Sequence, residues 1–253
     1  AHPLPLLSEG ITIARCGAAD EGGKPAKDAL QELRPALLVM DVFPFGLRDE
    51  LEHTVRRLRC AKALVCRHLR EPYASALPAA AAHFDIVLCA ETPPPGLPLP
   101  VLDCSPVLLR DASELLSRSE ARELIGAGPD QPVVVAVCTQ GETHTCDLFS
   151  LVARIVQRLS PHARVLWASP SMDEFSRTPL HSVGCPLSHY PLLELLNGVD
   201  LLIGASGYNL FSEARAVGVP AVFIPLPRRY DDQAWRASSA TVADSPEALA
   251  HAM

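Results

Sequence analysis

The sequence predicts an α/β protein made of two parallel-sheet domains. Three observations carry that prediction. Short apolar runs rich in β-branched residues recur along the chain; helical segments separate them; and a proline-rich stretch divides the series in two. Strands that are apolar on both faces belong to sheets covered by helices on each side, whereas a half-solvated sheet shows alternation. Right-handed β-α-β crossovers follow as the default connection.

In the first half, GITIARC (10–16), ALLVMD (36–41), KALVC (62–66), FDIVLCA (84–90) and LPVLD (99–103) read as strands. AKDALQEL (26–33) and LRDELEHTVRRL (47–58) read as helices. The second half offers strands at PVVVAVCT (132–139), ARVLWAS (163–169), DLLIGA (200–205) and PAVFIPL (220–226). Its helices are CDLFSLVARIVQRL (146–159), PLLELLNG (191–198) and NLFSEARAV (209–217). Between the halves, ETPPPGLPLPVLDCSPVLLRDASEL (91–115) reads as a rigid connector. Beyond it, Ser117 and Glu120 have capping-box spacing, and Gly126 stops the helix they open. The expected domains are therefore 1–108 and 109–253.

Composition narrows the partners. The 253 residues, 48% hydrophobic, are enough for two sizeable cores. A formal net charge of −7 argues against nucleic acid, which needs a basic face. No run approaches the roughly 18 apolar residues of a transmembrane helix, and AHPLPLLSEG lacks the basic flank and apolar core of a secretory signal. The eight cysteines include no C-x-x-C pair and several sit in apolar runs, which fits buried thiols in a reducing cytoplasm better than zinc or disulfides. A basic stretch, Arg56 to Arg70, fits peripheral contact with anionic lipid or an anionic acceptor. It reads more simply as an exposed helix end and a strand start with solvated charges, whose field Glu50, Glu52 and Glu71 reduce.

Three polar loops stand at the carboxyl ends of strands in the second half, where open α/β sheets bind ligands. In CTQGETHTCD (138–147), Gly141 lets backbone approach a ligand ahead of a helix start, although an ordinary β-α turn has the same residues. In GASGYNLFSE (204–213), Ser206 and Asn209 are both good N-caps, and Gly207 clears space at the turn. Glu213 lies one turn further on; its carboxylate suits the paired hydroxyls of a ribose, or is simply a solvated helix residue. Gly218 and Pro220 end that helix. In PLPRRYDDQAWRA (225–237), an Asp of the Asp231–Asp232 pair caps the next helix, and Gln233 both donates and accepts, as sugar recognition requires. Two adjacent carboxylates without a histidine make a poor metal site, so no metal is expected.

GASGYNLFSEARAVGVPAVFIPLPRRYDDQAWRA, Gly204 to Ala237, resembles the nucleotide-sugar-binding domain of GT-B glycosyltransferases. The likeness is to the group that adds N-acetylglucosamine to the lipid-linked peptidoglycan precursor. It implies two Rossmann-like domains facing a cleft, an N-terminal acceptor-side domain and a C-terminal donor domain. It implies that Glu213 binds ribose hydroxyls, that Ser206, Gly207, Asn209 and Gly141 lie near the diphosphate, and that Asp232 and Gln233 face the donor sugar. The segment PLSHYPLLELL (186–196) would lie near the base, uracil in this group. The N-terminal half resembles the group less fully. Relatives open with a strand and a Gly-rich loop ending in Gly-His, of which His2 would be the remnant, so the N-terminal domain is expected to be incomplete. The resemblance implies inverting, metal-independent transfer from a nucleoside-diphosphate sugar to an acceptor hydroxyl, without a cofactor. His2 is the first choice for the base that takes the acceptor's proton, by its place in the resemblance, and its imidazole suits neutral pH; Asp41 is the second. A hydrolase or epimerase of the same fold, or a non-catalytic nucleotide-sugar-binding protein, remains the alternative.

Overall fold

The computed structural model describes residues 24–98, 100–137, 143–168 and 184–239. The chain divides into two units, Ala1–Ser105 and Pro106–Met253. Each is built on a parallel sheet, as its strand sequences require.

Unit 1 runs α1 (Lys24–Leu33), β1 (Leu37–Asp41), α2 (Glu52–Arg57), β2 (Ala61–Cys66), α3 (Tyr73–Ala81), β3 (Ile86–Cys89) and β4 (Val101–Asp103). The sheet order is β1-β2-β3-β4, with every pair parallel. Leu38, Leu64, Cys66, Val87 and Cys89 share one face and pack with Val55 of α2, Leu77 and Ala81 of α3, and Phe84. Cys66 and Cys89 sit opposite each other in register at the strand ends. Both are buried, and burial first of all pushes the Cys66 thiol up to about 12. Among the described residues the cysteines are free thiols.

Two elements of unit 1 depart from the sequence pattern. α2 is confined to Glu52–Arg57 because the chain before it turns, with Gly46 at φ 90° and Asp49 at φ 58°. α3 has no amphipathic signature to read: YASALPAAA is almost uniformly apolar and carries Pro78 inside the helix.

Unit 2 contains α4 (Arg118–Ile125), β5 (Val133–Val137), α5 (Thr143–Leu159), β6 (Arg164–Ala168), β7 (Cys185–Leu187), β8 (Leu201–Ala205), α6 (Tyr208–Val217), β9 (Ala221–Ile224) and α7 (Gln233–Ser238). Short 3₁₀ turns occupy Ala112–Glu114 and Leu192–Gly198. The parallel sheet has the order β7-β6-β5-β8-β9. β5 and β8 are central, and their strands are apolar throughout because both faces are covered. Val134, Ala136, Val165, Trp167, Leu201 and Ile203 face Ala153 and Val156 of α5. Val133, Val135, Leu166, Leu202 and Phe223 face Ala121 and Ile125 of α4, Leu193, Leu195 and Leu196, and Phe211 and Ala214 of α6.

Helix ends follow the sequence signals closely in α4. The Ser117 hydroxyl accepts from the Glu120 N–H while the Glu120 side chain accepts from the Ser117 N–H, and Gly126 terminates the helix at φ 71°. The Arg164 side chain also donates to the Ile125 carbonyl at 2.8 Å, satisfying one of the carbonyls a helix end leaves open. Below the sheet, buried Arg122 donates to the Gly128, Gly198 and Gln131 carbonyls and to Asp200. Asp200 in turn accepts from the Val133 N–H at 2.8 Å and from Arg118 at 2.6 Å. This network ties α4, β5 and β8 together at their base. Among the described residues, no helix is long and apolar enough to cross a membrane.

Candidate functional site

The sheet of unit 2 has one topological switch point. The chain steps outward from β5 to β6 to β7, then returns to the other side of β5 as β8 and steps out again to β9. Connections leaving β5 and β8 therefore diverge to opposite faces, and a crevice opens beyond their carboxyl ends. β5 ends at Val137 and β8 at Ala205, with Val137 opposite Gly204 in the register. The turn leaving β8 is Ser206-Gly207, and it runs directly into α6.

Gly204 lies under a close-packed side chain. A Cβ there would overlap Leu210 Cδ2, so that side chain would have to shift, and would touch Val137 Cβ at an ordinary 3.5 Å. Gly207 is different. Its φ of −65° is open to any residue, and an added Cβ would meet only Gln233 Nε2, at 3.8 Å. Nothing within the described protein demands a glycine at this point, so the space above the turn is open.

Gly207 is the N-cap of α6, and no side chain caps that helix. The sequence offered Ser206 or Asn209 as caps, and the structure uses neither side chain for it. Ser206 is fully buried, and its hydroxyl donates instead to the Gln233 carbonyl at 2.7 Å. Asn209 is exposed. Since helix-start N–H groups carry partial positive charge and have no intrahelical partner, an uncapped start beside an open turn favours an anion.

Glu213 lies on the second turn of α6, only partly exposed and with no hydrogen-bond or ion-pair partner among the described residues. Burial pushes its carboxyl up to about 7. An ordinary salt-bridged surface glutamate would shift the other way.

The loop after β9 closes against the same turn. Asp232 caps α7, accepting from the Trp235 N–H at 3.1 Å. The buried Gln233 side chain accepts from the Leu226 N–H at 2.9 Å and donates to Asp231 at 3.3 Å. Its amide thus holds the loop in shape from within. Arg236, which the sequence reading did not single out, is fully buried: it pairs with Asp231, and its Nη1 donates to the Ser206 carbonyl at 3.4 Å. Its guanidinium also lies 5.9 Å from the centroid of the Tyr208 ring, and the Tyr208 hydroxyl accepts from the Val107 N–H at 3.1 Å. The signal for Arg236 was available in the helix period, because it follows Gln233 by three residues and Asp232 by four, on their inward face.

In the segment 186–196, Glu194 bridges two side chains, Arg110 Nε at 2.6 Å and His189 Nε2 at 2.9 Å. Partial burial works to raise the Glu194 carboxyl, but the hydrogen bonds from His189 and Arg110 outweigh it and hold the group below its usual range. Tyr190, beside this triad, is exposed.

The structure thus brings Ser206, Gly207, Asp232 and Gln233 into one locality at the carboxyl end of β8, with Asn209 and Glu213 on the helix that leaves it. Asp41 belongs to unit 1, where it is exposed at the end of β1 opposite Val65. The residue after it, Val42, has φ 65°, a strained conformation for a β-branched side chain. On the same edge of that sheet, Glu91 accepts the His68 N–H at 2.9 Å. His2 and Gly141 lie outside the described residues. Among the described residues, no group of three His, Cys, Asp or Glu side chains is arranged to hold a metal ion.

Comparison with known proteins agrees with this architecture. The two parallel α/β sheets have the GT-B fold. Solved structures that share it include a glycotransferase of kitacinnamycin (TM-score 0.60, 16% identity, 92% of this chain and 70% of that one). Another is Acinetobacter baumannii MurG (TM-score 0.55, 15% identity, 90% of this chain and 66% of that one). In sequence, the chain is similar to the UDP-N-acetylglucosamine--N-acetylmuramyl-(pentapeptide) pyrophosphoryl-undecaprenol N-acetylglucosamine transferase of Clavibacter michiganensis subsp. michiganensis (strain NCPPB 382). They are 30% identical over 122 residues, 46% of this chain and 32% of that protein. The aligned region is thus about a third of the length of that curated relative. No family model matches the chain.

Proposed function

We propose that the protein is a glycosyltransferase that takes its sugar from a nucleoside diphosphate, with UDP-sugar as the donor class. The observation that carries this reading is the switch point of unit 2, where an open, uncapped turn leads into a helix bearing a partly buried, partner-free carboxylate. The similarity to a UDP-N-acetylglucosamine transferase supports the same donor.

In this reading the diphosphate lies over Ser206 and Gly207, accepting from backbone N–H groups at the start of α6, with the exposed Asn209 beside it. Glu213, once ionised, accepts hydrogen bonds from both ribose hydroxyls. The loop of Asp232 and Gln233 borders the donor sugar, and the Gly141 turn adds to the phosphate contacts. An acceptor hydroxyl attacks the anomeric carbon as the diphosphate departs, so the configuration inverts. The helix-start amides stabilise the charge that develops on the leaving group, and the transfer step draws on no metal. A base in the N-terminal unit takes the acceptor's proton, with His2 and Asp41 as the candidates.

The test is calorimetric titration of the chain with UDP, beside the Glu213→Ala variant. Loss of two charge-assisted hydrogen bonds is expected to weaken UDP binding by about 2 kcal/mol. Equal affinity of the two proteins overturns the assignment. Incubation with UDP-N-acetylglucosamine alone separates transfer from hydrolysis, since a hydrolase releases free sugar without any acceptor.

A further inference from the structure

We propose that Arg236 sets the affinity of the β8–α6 turn for a diphosphate, acting through the Ser206–Gly207 peptide without touching the ligand. The inference rests on the reading of unit 2 as a nucleoside-diphosphate site and adds to it a positioning residue behind the turn.

The geometry is specific. Arg236 is wholly buried, so its charge is felt through protein and not through water. Its Nη1 donates to the Ser206 carbonyl at 3.4 Å. That carbonyl and the Gly207 N–H belong to one peptide unit. In a trans peptide the two point in opposite directions, so the bond that holds the carbonyl toward Arg236 aims the Gly207 N–H away from it. No described group accepts that N–H. A cation on the carbonyl also polarises the amide and strengthens its N–H as a donor, since linked hydrogen bonds reinforce one another.

Other contacts fix the guanidinium in place. Asp231 pairs with it, and the Tyr208 ring lies 5.9 Å away. The Ser206 hydroxyl to the Gln233 carbonyl, at 2.7 Å, ties the turn to the first residue of Arg236's own helix. Asp231 neutralises part of the Arg236 charge, but its side chain is 29% exposed while that of Arg236 is 0% exposed. Solvent therefore screens the carboxylate more than the guanidinium, so Asp231 offsets the Arg236 charge incompletely. That charge acts on phosphate oxygens and is indifferent to the nucleoside.

The experiment compares UDP with uridine by calorimetric titration of the full chain and of Arg236→Met, Arg236→Lys and Asp231→Asn. With Arg236→Met, the ratio of UDP to uridine affinity is expected to fall by about tenfold. Arg236→Lys, which keeps the cation, is expected to recover most of that ratio. A purely structural role would weaken both ligands alike, and an equal loss for UDP and uridine overturns the proposal. If Arg236→Met does not fold, Asp231→Asn decides: removing the neutralising carboxylate is expected to raise the ratio, and an unchanged or lowered ratio overturns it. If the unaltered chain binds no UDP, the reading of the site fails first, and this inference fails with it.

Discussion

The Ser206 hydroxyl donates to the Gln233 carbonyl at 2.7 Å, joining the turn after β8 to the start of α7, 27 residues further along the chain. Both residues are buried. Ser206→Ala leaves that carbonyl without its side-chain donor in a dry setting. The expected cost is about 1–2 kcal/mol in urea unfolding. Because the bond fixes the turn as well as the fold, UDP affinity is expected to fall with it, which titration of the variant checks. A stability loss with full UDP affinity would separate the turn from the binding site.

The strands of unit 2 were legible because burial on both faces writes an uninterrupted apolar run, and five parallel strands leave little else to infer. The helix ends at Gly126 and Gly218 were legible for a local reason: each adopts positive φ, at 71° and 76°. What the sequence did not reveal depends on long-range geometry. Ser206 has the chemistry of an N-cap, yet its hydroxyl turns to a carbonyl that only the folded chain brings near. β7 was missed because Cys185–Leu187 is too short to show a pattern, and Pro186 stands in its middle. The 191–198 segment reads as an α-helix by composition but tightens into a 3₁₀ turn after Pro191. Arg236 looks like a surface cation by type; its helical spacing from Gln233 points inward, and the packing of α7 against Ser206 shows it to be interior.

Asp200 carries a second prediction. Its partial burial works to raise its carboxyl, but hydrogen bonds from Arg118, the Val133 N–H and Arg122 outweigh that and hold it low. A carboxyl depressed in the folded state stabilises the protein above its unfolded pKa, and that contribution is lost as pH falls through the folded value. Asp200→Ala also strips buried Arg122 of its carboxylate partner, leaving it the Gly128, Gly198 and Gln131 carbonyls. The expected loss is about 3 kcal/mol at pH 7 in urea unfolding, shrinking in acid where the native carboxyl protonates. A loss that is the same at pH 7 and in acid would contradict the electrostatic account.

Gly204 tests whether the turn is positioned by packing. Its missing side chain lets Leu210 lie directly over β8, opposite Val137. Gly204→Ala forces the Leu210 side chain out of its place against β8. The expected cost is about 1–3 kcal/mol of stability. The double variant Gly204→Ala/Leu210→Ala removes the colliding atom, so its loss of stability is expected to be smaller than the sum of the two single losses. Simple additivity in thermal or urea unfolding would mean that the helix does not rest on this contact.

Glu213 gives a prediction with opposite signs for stability and binding. Burial raises its folded pKa to about 7, from an ordinary value of 4.5. Between those values the folded state holds a proton that the unfolded state has lost, so stability falls as pH rises through this window and levels off above it. The difference corresponds to roughly 3 kcal/mol, of which solvent screening at this partly exposed site leaves about 2 kcal/mol. Glu213→Gln carries no such proton. Unfolding measured from pH 4.5 to 8 should show the variant gaining on the parent chain by that amount as pH rises. Binding runs the other way. A ribose needs the ionised carboxylate to accept from both hydroxyls, so UDP affinity of the parent chain is expected to increase as pH rises through about 7. That increase should be absent from Glu213→Gln. The same buried carboxylate thus destabilises the empty protein at neutral pH and strengthens its grip on the nucleotide. A parent chain whose UDP affinity is flat from pH 6 to 8 would remove Glu213 from the site, even if the stability profile follows the predicted course.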